Sequence, residues 1–115
     1  MLSRWTNFLN SDREKDFRER DNEFVDHIDN KEELLNLWSK GWDCLFNTLE
    51  SLSETDLEKI VYLRNESHTV IESINRQLCH YSYHIGQIVY LGKIILEENW
   101  ESLSISKGQS EKFNS

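Results

Sequence analysis

Two histidines four residues apart, His80 and His84, are the residues of this chain whose types and spacing best suit chemistry. Side chains four apart on an α-helix project from the same side, about 5–6 Å apart at Cβ. That separation allows two imidazoles to bind one metal ion. The spacing therefore predicts that His80 and His84 are two ligands of a divalent metal ion, provided that the surrounding stretch is helical.

The stretch 69–96 has the pattern of one long helix. Thr69 is a favourable N-cap residue, and Glu72 three positions later completes a capping box. Apolar residues then recur every three or four positions and predict one buried face: Ile71, Ile74, Leu78, Tyr81, Ile85 and Ile88. A second stripe lies on the opposite side: Cys79, Tyr83, Gly86 and Tyr90. A helix with two such faces is central to its fold or also faces a partner.

The HxxxH pair is an incomplete metal signal. A catalytic zinc ion usually has three protein ligands and a water molecule. The zincin protease motif has glutamate directly after the first histidine, whereas this chain has Tyr81, so such a protease is disfavoured. A hydrogen-bonded pair of histidines at the edge of a helix is the alternative without metal. Gln87 is either a hydrogen-bond partner of a ligating ring or an ordinary polar residue.

A third ligand is not evident elsewhere in the chain. His68 stands twelve residues before His80, about 18 Å along a helix axis, which is too far to share the ion within one chain. His27 lies in a highly charged stretch and is expected to be exposed. Acidic residues such as Glu23 are possible substitutes, but nothing in the sequence selects one of them.

Composition limits the other functions. A chain of 115 residues suits one domain, and a formal charge of −8 argues against binding to nucleic acid or to acidic membrane surfaces. No run reaches the roughly 18 apolar residues of a membrane span, and Met1–Trp5 lacks the layout of a signal peptide, so we expect a cytoplasmic protein. Cys44 and Cys79 form no CxxC pair and are predicted to be small buried thiols.

The rest of the chain also indicates helices, because proline is absent and glycine occurs only four times. A helix over 31–52 is predicted, capped by Asn30 and Glu33, with Trp38 and Trp42 in the core. Before this helix, we expect helical spacing over 1–10 and a charged connecting loop over 11–29. After it, we expect an N-cap at Ser53 completed by Asp56, extended residues 60–63 and a turn over 64–67. At the C-terminal end, Trp100 and Leu103 are expected to pack on the bundle, and residues 106–115 are expected to form a flexible tail.

The segment His80–Ile88 resembles the HxxxH-x-GQ-I signature on the last bundle helix of the DinB/YfiT-like superfamily. The segments 74–77, 100–105 and 18–24 resemble a small uncharacterised bacillary branch of that superfamily. The resemblance covers almost the whole chain, and its nine-residue centre is fairly specific.

This resemblance implies an all-α fold, a DinB-like helical bundle of up-down helices with one long C-terminal helix. It also implies a metal centre with three histidines, two of them at His80 and His84, that holds nickel, zinc or a similar divalent ion. Relatives of this kind include thiol-dependent transferases, isomerases and predicted hydrolases, and they are often dimers.

The chain departs from that pattern at its start. By this resemblance, residues 1–10 correspond to the later part of the second helix, so we expect the first helix and part of the second to be absent and the third histidine to precede Met1. The chain is then a truncated gene product, or its start codon is placed too late, or a partner completes the bundle. We therefore expect a single partial DinB-like domain over 1–115, which leaves apolar surface uncovered and favours a homodimer. The substrate is expected to be a small molecule of unknown identity. The alternative function is a truncated, non-catalytic helical dimerisation module without metal.

Overall fold

The computed structural model describes residues 1–12, 14–25 and 27–113. These residues form two compact units, Met1–Arg76 and Gln77–Ser115. The helices are α1 (Leu2–Trp5), α2 (Lys31–Ser51), α3 (Val70–Leu96) and α4 (Ser110–Phe113), and the strands are β1 (Ile60–Leu63) and β2 (Glu66–Thr69). Single 3₁₀ turns occupy Asp21–Phe24, Glu54–Asp56 and Glu97–Asn99. Positions 13 and 26 of the predicted charged loop and positions 114 and 115 of the predicted tail lie outside the described residues.

The helix α2 begins where the sequence places its cap. The Asn30 side chain accepts a hydrogen bond from the backbone N–H of Glu33 at 2.9 Å, which satisfies one of the unpaired donors of the first turn. The Glu33 carboxylate accepts from the backbone N–H of Asp29 at 3.3 Å, one residue earlier than a capping box requires. The helix ends at Ser51, and a capping box then links Ser53 with Asp56 as predicted.

The apolar core lies in the first unit. Trp5 stacks on Phe8 with ring centroids 4.7 Å apart, and both are buried together with Leu45. The hydroxyl of Thr48 donates to the carbonyl of Trp5 at 2.9 Å, which fastens α1 to α2. The helical spacing over 1–10 gives only a four-residue helix, since the backbone of Asn7 turns left-handed at φ 52°.

A β-hairpin completes the first unit. Strand β1 occupies the predicted extended residues, and β2 pairs with it antiparallel, with Ile60 opposite Thr69. The turn consists of Arg64 and Asn65, whose φ angles of 55° and 63° are both positive, as in a type I′ turn. The Asp12 carboxylate accepts from the backbone N–H of Arg64 at 3.0 Å and of Asn65 at 2.9 Å. An acidic side chain 52 and 53 residues earlier in the chain thus fixes the turn.

This hairpin contradicts the all-α prediction. The fold is not a purely helical up-down bundle, and of the helices in the described residues only α2 and α3 reach seven residues. Residues 66 and 67, predicted as part of a turn, belong to β2. The turn residues Arg64 and Asn65 include no glycine, which is the usual sequence signal of a two-residue hairpin turn. The turn is also supported by Asp12, and a local sequence pattern does not show a contact with so distant a residue.

The helix α3 confirms the predicted long helix and its cap. Thr69 accepts from the backbone N–H of Glu72 at 3.2 Å, and the Glu72 carboxylate accepts from the backbone N–H of Thr69 at 2.7 Å. The prediction of a buried face on α3 is largely wrong, however. Of the six residues predicted to be buried there, four are exposed: Ile71, Leu78, Ile85 and Ile88. The spacing predicts a common face, but burial also requires a surface to cover it.

Other predictions of burial fail for the same reason. Trp38 is half exposed, although its ring meets that of Trp42 edge to face with centroids 5.6 Å apart. Cys44 is partly buried, whereas Cys79 is exposed.

In the second unit, Trp100 packs on α3 as expected. A methyl group at Gly92 would lie 2.9 Å from Cζ3 of Trp100, so the ring rests directly on the helix backbone. Leu103, expected to pack beside it, is exposed instead. A search of the described helices finds none with the length and apolar character required to cross a bilayer.

Candidate metal site

The helix α3 brings the two predicted ligands together. His80 and His84 lie one turn apart on the same side of the helix, and their rings converge rather than diverge. The Nε2 atoms lie 3.2 Å apart, with ring centroids 4.5 Å apart and ring planes at 81°. The two ring nitrogens farthest from the backbone therefore face a common point.

This separation can be compared with that in a zinc site. Histidine nitrogens bind zinc at about 2.0–2.1 Å in tetrahedral geometry, which places two such nitrogens about 3.3–3.4 Å apart. The observed 3.2 Å is close to that value. The distance between the two Nε2 atoms is thus compatible with one ion bound to both rings.

The same separation fits a hydrogen bond between the rings without metal. An N–H···N bond between the two Nε2 atoms requires that one carries the proton and the other presents its lone pair. A metal ion that binds both rings displaces that proton. The distance alone therefore fits both predictions, a metal-binding pair and a hydrogen-bonded pair without metal.

Gln87 holds the second ring. The Nδ1 atom of His84 lies 3.1 Å from Oε1 of Gln87, and because an amide oxygen only accepts, Nδ1–H is the donor. The Gln87 amide in turn donates to the hydroxyl of Tyr83 at 3.1 Å. A proton on Nδ1 leaves Nε2 of His84 with its lone pair, which is the tautomer that a metal ligand needs.

Tyr83 is the member of this network that the sequence did not reveal as functional. The sequence places Tyr83 in a stripe with Cys79, Gly86 and Tyr90, and the spacing of four residues between Tyr83 and Gln87 is the signal that could indicate their contact. Tyr83 also contacts the ring of His84, with centroids 5.3 Å apart. It therefore contacts His84 directly and also through Gln87.

Within the described part of the chain, two candidate ligands lie together at this site. Among residues 1–12, 14–25 and 27–113, no group of three or more His, Cys, Asp or Glu side chains is placed to hold a metal ion. Both histidines are exposed to solvent. Glu23, a possible substitute ligand, is paired with Arg18 through two hydrogen bonds of 2.7 Å. Arg18 lowers the pKa of Glu23 through those bonds.

The other histidines have separate environments. His27 is exposed as predicted, with Nε2 3.0 Å from Oδ1 of Asn22. His68 lies on β2 opposite Val61, in the first unit. Neither residue is part of the pair on α3.

The first unit also contains a cleft. It has a volume of about 600 Å³ and is lined by Leu2, Arg4, Phe17, Arg18, Leu34 and Trp38, among others. Its lining combines apolar side chains with Ser3, Glu19 and the Arg18–Glu23 ion pair, and no described histidine or cysteine is among the lining residues. The histidine pair on α3 is therefore the stronger candidate for chemistry.

Comparison with known proteins gives a family but no activity. The model of a family described as a protein of unknown function, DUF1572, matches residues 1–109. No curated protein and no solved structure matches the chain.

Proposed function

The chain belongs to the DUF1572 family, and we propose that it binds one divalent metal ion, zinc or nickel, through Nε2 of His80 and Nε2 of His84. The observation that carries this proposal is the convergence of the two Nε2 atoms to 3.2 Å. Imidazole nitrogens suit zinc, nickel and copper better than magnesium or calcium, which prefer oxygen ligands.

The support from Gln87 strengthens the proposal. A ligating histidine commonly donates its second N–H to an oxygen acceptor, which fixes the ring and its tautomer. His84 has such an acceptor in Gln87 at 3.1 Å. A ring held only for packing needs no particular tautomer.

The chemistry follows from the open coordination positions. A metal ion with two protein ligands leaves room for a water molecule or a substrate thiolate, whose pKa it lowers. This agrees with the transferase or hydrolase class implied by the resemblance of His80–Ile88 to the DinB/YfiT-like signature. We infer that relationship from the motif alone, because the family description names neither a metal nor an activity.

The second candidate function is a non-catalytic module that associates through α3 without metal. It is favoured by the exposed apolar residues of that helix, including Leu78, Ile85 and Ile88. Large apolar surfaces of this kind mark interaction sites. A cytoplasmic location is proposed for both candidates, since the thiols of Cys44 and Cys79 are unpaired.

Metal content distinguishes the two candidates. Protein is dialysed against zinc and then against metal-free buffer, and its zinc is measured by mass spectrometry. The wild type is expected to retain zinc and His84→Ala to lose it, whereas His27→Ala, which changes a histidine outside the pair, is expected to behave as the wild type. Equal, near-zero occupancy in all three proteins would reject the metal proposal.

A further inference from the structure

We propose that the cleft of the first unit binds a small aromatic carboxylate, and that Arg4 and Ser3 hold its carboxylate group. The cleft has a volume of about 600 Å³, and small-molecule sites are typically pockets of about 300–1,000 Å³ with apolar walls and a few polar groups. Neither His80 nor His84 lines it. The inference therefore goes beyond the proposed metal site and does not depend on it.

Arg4 is a partly buried cation that lines this cleft. The carboxylates nearby are engaged by other arginines. Glu23 lies 2.7 Å from Arg18, and Glu14 lies 3.3 Å from both Arg18 and Arg64. The Arg4 side chain makes no ion pair or hydrogen bond with the residues that the structure describes. Because a charge that loses water without gaining a partner is costly, this guanidinium indicates a place for an anion.

The charges around Arg4 favour an additional anion. Burial lowers the pKa of Arg4, and the positive charges of Arg18 and Arg76 lower it further, while Glu14 only partly opposes them. A bound carboxylate supplies the negative charge that these surroundings lack. The planar guanidinium group can donate two parallel hydrogen bonds to the two oxygens of a carboxylate.

Ser3 offers a second donor beside Arg4. Ser3 is only 9% exposed and lines the same cleft. Its hydroxyl has no hydrogen-bond partner among the described residues, although buried polar groups nearly always have one. The two residues are consecutive in α1, so both donors lie in the same part of the cleft. A carboxylate bound there can accept from both of them.

The acidic residues of the cleft limit the charge of the ligand. Glu23 is paired with Arg18, and Glu19 accepts a hydrogen bond from the Asn22 amide at 3.2 Å. A single carboxylate balances the single charge of Arg4. A phosphate dianion would bring a second negative charge close to these acids, in a chain whose formal charge is already −8. The cleft therefore suits a monocarboxylate better than a phosphate.

The other walls of the cleft are apolar and open to a ligand. Leu34, Leu37 and Trp38 share one face of α2, because their positions differ by three and four residues. Trp38 is 50% exposed, and Phe17, which also lines the cleft, is 66% exposed. Contact with an apolar ligand removes such surface from water, and aromatic rings pack favourably on one another. The body of the ligand is therefore aromatic.

The test is isothermal titration calorimetry on the full chain, with β-naphthoate as the probe and β-naphthylmethanol as its neutral counterpart. EDTA is present throughout, so that no metal ion can bind the carboxylate. The wild type is expected to bind the acid about tenfold or more tightly than the alcohol, because hydrogen bonds between charged groups contribute at least that factor. Equal affinity for the two compounds, or no binding of the acid, would overturn the proposal.

A third compound tests the assigned charge. β-Naphthyl phosphate is expected to bind more weakly than β-naphthoate, because it carries a second negative charge. Tighter binding of the phosphate would overturn the assignment to a monocarboxylate.

Variants test the residues that hold the ligand. Arg4→Gln should abolish the preference for the acid and leave the affinity for the alcohol unchanged. Lys40→Gln removes the same charge from an exposed position of α2 outside the cleft, and it should keep the preference. Ser3→Ala should weaken binding of the acid by about threefold, and Trp38→Ala should weaken binding of both compounds. An Arg4→Gln protein that prefers the acid as the wild type does would overturn the role of Arg4.

Two controls separate this result from unfolding and from the metal site. Because Arg4 is partly buried without a partner, Arg4→Gln is expected to unfold at the same urea concentration as the wild type or a higher one, with unchanged circular dichroism. His80→Ala/His84→Ala should bind β-naphthoate as the wild type does. Loss of binding in that double variant would place the carboxylate at the histidines and overturn the assignment to the cleft.

Discussion

Nδ1 of His84 lies 3.1 Å from Oε1 of Gln87, one turn further along α3. This contact assigns the proton to Nδ1 and the lone pair to Nε2, the atom that faces His80 at 3.2 Å. The tautomer of this proposed ligand thus depends on Gln87, a neutral side chain that is not itself a proposed ligand.

Gln87→Ala should therefore weaken metal binding without removing a ligand. Loss of such a supporting partner typically costs about 10–100-fold in metal affinity. Zinc affinity, measured by competition with a chromophoric chelator, is expected to fall within that range. Gln109→Ala, a change of the same chemistry near α4, serves as the control. An affinity for Gln87→Ala equal to that of the wild type would show that His84 needs no support.

The two glycines of α3 should respond differently to the same substitution. Alanine in a helix interior is favoured over glycine by about 0.5–1 kcal/mol, and Gly86 has no heavy atom within 4 Å of the added methyl group. Gly86→Ala is therefore expected to raise the free energy of unfolding. At Gly92 the methyl group would lie 2.9 Å from Trp100, so the ring must move. Gly92→Ala is expected to gain less, or to lose stability.

Urea unfolding monitored by circular dichroism compares the two variants under the same conditions. An equal gain in the two proteins would contradict the described packing of Trp100 on the helix.

Asp12 should contribute stability that depends on pH. Hydrogen bonds from the backbone N–H groups of Asn65 and Glu14 lower the pKa of Asp12, and burial only partly opposes them. A lowered pKa in the folded state means stability that is present above the unfolded pKa of about 3.9 and is lost as the pH falls through the folded value.

Asp12→Asn tests this directly. At neutral pH it should reduce the free energy of unfolding by about 1 kcal/mol, because an amide oxygen is a weaker acceptor than a carboxylate. The difference from the wild type should shrink below about pH 4, where Asp12 of the unfolded chain begins to take up a proton while the folded chain still holds the carboxylate ionised. Asp43→Asn, at an exposed position of α2, is the control. A difference that stays constant from pH 7 to pH 3 would contradict the role of Asp12 in the turn.

Local features of the fold could be predicted where the determining residues are close in sequence. Asn30 and Thr69 precede their helices, and the side chain of each accepts a hydrogen bond from a backbone N–H three residues later. Because donor and acceptor are so close in sequence, a local pattern is enough to predict the cap. The pairing of His80 with His84 follows from helix periodicity in the same way.

Features that depend on distant residues could not be predicted. The hairpin turn at Arg64 and Asn65 is fixed by Asp12, and no local pattern links these positions. The apolar spacing of α3 correctly predicted a face, but exposure of Leu78 and Ile85 depends on what covers that face. The prediction of an all-α bundle is wrong because the hairpin depends on a contact between distant residues. The prediction of a buried face on α3 is wrong because spacing does not show what covers that face.

The most direct measurement of the central claim is the nitrogen chemical shift of each imidazole, recorded by long-range ¹H–¹⁵N NMR during titration with zinc. Assignments come from His80→Gln and His84→Gln. The account predicts that the Nε2 resonances of His80 and His84 move together to metal-bound values while Nδ1 of His84 stays protonated. His27 and His68 should not change. Saturating zinc that leaves both Nε2 resonances at their metal-free positions would contradict the claim that this pair binds metal.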